Sequence, residues 1–95
     1  MRLFRFDIRS TKPPRGLTTA SVWVNEEQPA TAEARARAYL ALLGWTVDSI
    51  ETSLSPTSYQ LEQLSVFERE CHRAAAASGV SAFIAPAGSP VRDIK

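Results

Sequence analysis

The feature that most constrains this chain is an apolar residue at every second position in two segments near its start. Phe4, Phe6 and Ile8 lie on one side of residues 3–9, and the same spacing returns in residues 18–25. A period of two is typical of a half-buried β-strand, because successive side chains point to opposite faces of a sheet. The intervening STKPPRG contains adjacent prolines and a glycine, which interrupt strand pairing. The two segments therefore predict a hairpin.

The apolar period then lengthens to that of a helix. Ala32, Ala36 and Leu40 recur at helical spacing. Thr31 is a suitable N-cap, because its hydroxyl can accept a hydrogen bond from an amide of the first turn. Gly44 can adopt a left-handed conformation, which would end this helix.

A second helix is predicted from the segment SPTSYQLEQ to Gly79, with Ser55 or Ser58 as its cap. Its apolar stripe contains Leu64 and Phe67, at a spacing that puts them on one side.

The remaining segments predict two more strands. TVDSIETSL reads as a third strand in which Val47 and Ile50 are out of phase, so we expect a bulge or a bend between them. The short apolar segment VSAFIA reads as a fourth. Residues 86–95 read as a turn and tail.

The pattern predicts a single α+β domain over residues 1–95. Its elements follow a ββαβαβ order. The simplest closure is a two-layer sandwich, with a mixed four-stranded sheet and both helices on one face. Such layering would be ferredoxin-like, although ferredoxin-like domains have the order βαββαβ.

Composition excludes several kinds of site. A single cysteine permits no intramolecular disulfide, and one histidine beside it cannot complete a four-ligand structural zinc site. We therefore predict no metal and no cofactor. The segment MRLFRFDIRS has no apolar core of a signal peptide, and prolines and glycines interrupt the uncharged residues 74–91. We expect a cytoplasmic protein without a membrane partner.

The single cysteine and histidine, Cys71 and His72, occur together in FERECHRAAAASG, residues 67–79. Adjacent positions on a helix point about 100° apart, so they do not form a nucleophile–base pair. We expect Cys71 to be a buried structural residue packed against Leu64 and Phe67. Glu68 precedes His72 by one helical turn and should pair with it at the surface.

Familiar catalytic motifs are missing from the sequence. It contains no nucleophile elbow, phosphate-binding loop, HExxH zinc motif or dinucleotide fingerprint. We predict no catalytic residues. An enzyme is the third hypothesis, after a protein-binding and a nucleic-acid-binding module, and His72 would be its only conventional neutral-pH base.

The predicted binding surface is the sheet face left open by the helices. It would hold Arg5 and Arg9 beside an exposed Trp23, with Lys12 and Arg15 in the adjoining loop. An exposed tryptophan is a common protein-binding residue, so we predict an interaction module that self-associates, as a homodimer, or binds another protein there. The alternative is single-stranded nucleic acid, whose bases stack on aromatic rings and whose phosphates pair with arginine. A net charge of +1 favours the protein partner.

Overall fold

The structure, a computed structural model, describes residues 1–13 and 16–85. Its elements in chain order are β1 (Arg2–Ser10), β2 (Leu17–Val24), α1 (Pro29–Leu42), β3 (Trp45–Leu54), α2 (Ser58–Glu62), α3 (Val66–Ser78) and β4 (Val80–Ile84). This is an α+β fold, as predicted. The predicted second helix is instead two helices, and the predicted tail at residues 86–95 lies outside the described residues.

All pairs of neighbouring strands in the sheet are antiparallel, in the order β3-β1-β2-β4. The mixed sheet predicted from the sequence is therefore not found. The hairpin of β1 and β2 occupies the centre, and α1 carries the chain across it, so that β3 pairs with β1 instead of β2. β4 then pairs with β2, which leaves β3 and β4 as the two edges of the sheet that residues 1–13 and 16–85 form.

The pairing of β3 with β1 contains the bulge that the sequence predicted. Ile8 pairs with Val47 and Asp7 pairs with Ser49, so Asp48 is an extra residue on β3. An extra residue shifts the alternation by one, which allows Val47 and Ile50 to face the same side. A second register shift follows at Glu51.

Both faces of the sheet are covered. On one face, α1 contributes Ala32, Ala36 and Leu40 to a core with the alternating apolar residues of β1 and β2. On the other, Leu3 and Trp23 pack against Ala75 of α3. The two helices therefore lie on opposite faces, and the arrangement has three layers instead of two. The physical reason is that two large apolar side chains on the second face also require cover.

The ends of the helices follow local chemistry. Pro29 occupies the first turn of α1 after Gln28, so Thr31 is not its cap. Thr57 caps α2 and Ser65 caps α3, each by accepting a backbone N–H, in place of the predicted Ser55 or Ser58. Gly44 follows α1 with φ +90°, as its predicted role requires.

We predict that Gly79→Ala destabilises the fold by about 1–3 kcal/mol. Gly79 has φ +103°, and a Cβ there would lie 2.6 Å from Nη2 of Arg35. Both the backbone and the Arg35 side chain would have to move. Gly16→Ala is the matched control, because among the described residues no atom outside its chain neighbours lies within 4 Å of the Cβ position. Urea unfolding of the two variants tests this, and equal stability of both would contradict it.

Candidate functional site

Trp23, the centre of the predicted binding surface, is not exposed. Its side chain is 0% exposed, and its indole Nε1–H donates to Oε1 of Glu68 at 2.8 Å. The His72 ring packs edge-on against the indole, with 5.3 Å between ring centroids. The prediction of an exposed Trp23 is wrong because α3 covers this part of the sheet.

The neighbouring Arg5 belongs to the same buried cluster. Its Nε donates to Oγ of Ser21 at 3.0 Å, and its Nη2 lies 3.7 Å from Oε2 of Glu68. The side chains of Arg5 and Glu68 are only 15% and 9% exposed, so each charge lies beside a partner away from water. This explains how a carboxylate is accommodated between a helix and a sheet, where burial without partners would be unfavourable.

The other predicted binding residues are not gathered around Trp23. Nη2 of Arg9 contacts Oδ2 of Asp48 at 3.2 Å, at the surface. Lys12 is exposed in the loop after β1, and Arg15 lies outside the described residues. In this arrangement no base can stack on Trp23, because its ring is enclosed.

The part of this face beyond α3 is polar. Oγ of Ser49 donates to Asp7 at 2.7 Å, beside the Arg9–Asp48 ion pair. Because these groups satisfy one another while facing solvent, this area requires no covering layer.

Cys71 and His72 contribute mainly to the packing of α3. Cys71 packs beside Leu64 as predicted, but it is half-buried and not fully buried. Burial raises the pKa of its thiol above the ordinary value, and a hydrogen bond with Ser81 acts in the opposite direction. Phe67 is not part of that cluster, and Glu68 does not form the predicted surface pair with His72.

A shallow cleft beside α2 is lined by Leu61, Glu62, Leu64, Arg69 and His72. Within residues 1–13 and 16–85, no group of three His, Cys, Asp or Glu side chains could hold a metal ion. No helix in these ranges is long and apolar enough to cross a membrane.

The two edges of the sheet differ in how well they are protected against pairing. β3 has two register shifts and carries Asp48 and Glu51. Bulges and charges are features that prevent an edge strand from pairing with another chain. β4 has neither, because its five residues VSAFI are uncharged and pair with β2 without a register shift.

The backbone of β4 presents alternate residues to its outer edge. The N–H of Asn25 donates to Gly79 O, and the N–H of Ala85 donates to Thr19 O. The backbone N–H and C=O groups of the odd-numbered residues of β4 therefore point toward β2. The N–H and C=O groups of Val80, Ala82 and Ile84 therefore point outward. Among the described residues, only the Ser78 hydroxyl contacts this row, at 3.2 Å from Val80 O.

An exposed aromatic pair lies beside that edge. Phe67 of α3 is 66% exposed and stacks on Phe83 of β4, with 5.7 Å between ring centroids. Val66, next to Phe67, is 72% exposed. We call β4 and the Phe67–Phe83 pair together the β4 docking edge. Helical spacing predicts a core position for Phe67. That prediction is wrong because the exposure of Phe67 depends on where the sheet edge lies, and helical spacing does not show the strand order.

Comparison with known proteins finds no matching family model, no similar curated protein and no similar solved structure.

We predict that Glu68→Ala destabilises the fold by about 2–4 kcal/mol, because it leaves Arg5 and the Trp23 indole without their partner. Glu70→Ala is the control on the same helix. Glu70 is exposed, and its one ion pair among residues 1–13 and 16–85 is with Arg73, so its loss should change stability by less than about 1 kcal/mol. Urea unfolding monitored by tryptophan fluorescence measures both. Equal effects would show that the buried cluster does not stabilise the packing of α3.

Proposed function

We propose that this protein is a small interaction module that binds an extended protein segment as a fifth strand along β4. The observation that carries the proposal is the contrast between the two edges: β3 is bulged and charged, whereas β4 is regular and uncharged. Strand addition uses backbone hydrogen bonds for affinity and side-chain contacts for specificity.

The β4 docking edge supplies both kinds of contact. Val80, Ala82 and Ile84 present backbone donors and acceptors in the spacing of a strand. The Phe67 ring supplies an exposed apolar surface of the kind that often dominates binding energy. No observation of comparable weight favours nucleic acid or catalysis, since Trp23 is enclosed and Arg5 and Arg9 lie beside carboxylates.

Selection of random heptapeptides on phage, with the full chain immobilised, tests the proposal without a known partner. We expect enriched sequences that alternate apolar residues. Ala82→Pro should weaken their binding by about tenfold or more, because proline removes an outward N–H at the centre of the edge. An edge strand tolerates proline at such a position, so the sheet should remain folded.

Ser53→Pro is the matched control on β3. The N–H of Thr11 donates to Gly44 O, so the backbone groups of the odd-numbered residues of β1 point toward β3. Leu3 and Arg5 pair with Leu54 and Thr52, so the backbone groups of Ser53, between them, point outward. This variant should bind the selected peptides as the wild type does.

A second pair of variants does not alter the backbone. Phe67→Ser should weaken peptide binding, whereas Leu42→Ser, which changes an 85%-exposed leucine of α1, should not. No enrichment of peptides, or peptides that bind Ala82→Pro and Phe67→Ser as tightly as the wild type, would overturn the proposal.

A further inference from the structure

We infer that the segment that occupies the β4 docking edge is β4 of a second copy of this chain, antiparallel and related by a two-fold axis near Ala82. This inference rests on the proposed docking edge and adds the identity of its partner. Self-association, predicted from the sequence for the Trp23 face, is thereby placed on a different surface.

The outward backbone groups of β4 are symmetric about Ala82. A two-fold axis at that residue pairs Ala82 with its own copy and pairs Val80 with Ile84 of the second chain. Each of these residues offers both an N–H and a C=O, so every outward donor and acceptor of the strand gains a partner. Only Val80 O would exchange its contact with the Ser78 hydroxyl for a backbone donor.

The side chains of the two copies are complementary in size in this register. On the face covered by α1, Val80 would meet Ile84 and the small Ala82 would lie at the axis. On the opposite face, the large Phe83 would lie across from the small Ser81 of the other chain. Cross-strand pairs of this kind avoid steric overlap and add packing energy.

The charges near the edge also permit two copies to approach. β4 itself is uncharged, and Glu70 and Arg73 of α3 neutralise each other at 3.3 Å. The bulges of β3 disfavour continued addition of chains at the opposite edge. The assembly should therefore close at two copies, with one eight-stranded sheet.

The contact is small, since it involves five residues of each strand and the Phe67–Phe83 pairs. Interfaces below roughly 1,200 Å² of total buried surface are typical of weak, reversible association. We therefore expect the dimer to dissociate on dilution.

Sedimentation velocity of the full chain over an about hundredfold range of concentration tests the inference. Wild type, Ser53→Pro and Leu42→Ser should shift from monomer to dimer as concentration rises. Ala82→Pro should remain a monomer throughout, and Phe67→Ser should raise the dissociation constant by about tenfold. Circular dichroism spectra of the variants check that each sheet is intact.

A wild type that is monomeric at every concentration would overturn the inference. So would a dimer that persists in both Ala82→Pro and Phe67→Ser, or an assembly that grows beyond two copies. The proposed function is tested separately from this inference. If selected peptides bind the wild type but not Ala82→Pro, strand docking at β4 is supported even when the chain does not pair with itself.

Discussion

The hydrogen bond between the Trp23 indole and the buried Glu68 carboxylate holds α3 against the sheet, and the exposed surface beside β4 depends on that packing. It joins the centre of the sheet to a helix 45 positions later in the chain, and Arg5 lies 3.7 Å from the second carboxylate oxygen. A buried carboxylate requires such partners, so only one side of α3 can face the sheet. That orientation places Phe67 over Phe83 of β4, the strand that the pairing order leaves at one side of the described sheet.

Local features of the fold were predictable because they depend on neighbouring residues. The period of two in β1 and β2, the end of α1 shortly before Gly44 and the bulge at Asp48 all follow from spacing within a few residues. The covering of the second face was not predictable in this way. Periodicity shows that Leu3 and Trp23 share a side, but it does not show which distant helix packs there.

The candidate site was missed for a related reason. Phe67 has helical spacing with Leu64 and Cys71, which suggests burial, yet it projects past the cluster they form. Whether an aromatic residue at the border of a helix face is covered depends on where the sheet ends. In the part of the chain that the structure describes, β4 is the last strand on one side because β3 pairs with β1 on the other, and that order arises from long-range pairing. One signal was present in the sequence: VSAFI carries no charge, unlike the third strand with Asp48 and Glu51.

The central claim is that β4 is an accessible edge, and hydrogen exchange of its individual amides, followed by NMR in dilute solution, tests this most directly. Exchange reports whether each N–H has a stable partner. The account predicts an alternating pattern, in which the amides of Ser81 and Phe83 exchange slowly because they face β2, while those of Val80, Ala82 and Ile84 exchange rapidly. Slow exchange of all five amides at low concentration would contradict it, because the outer side of β4 would then be paired within the single chain.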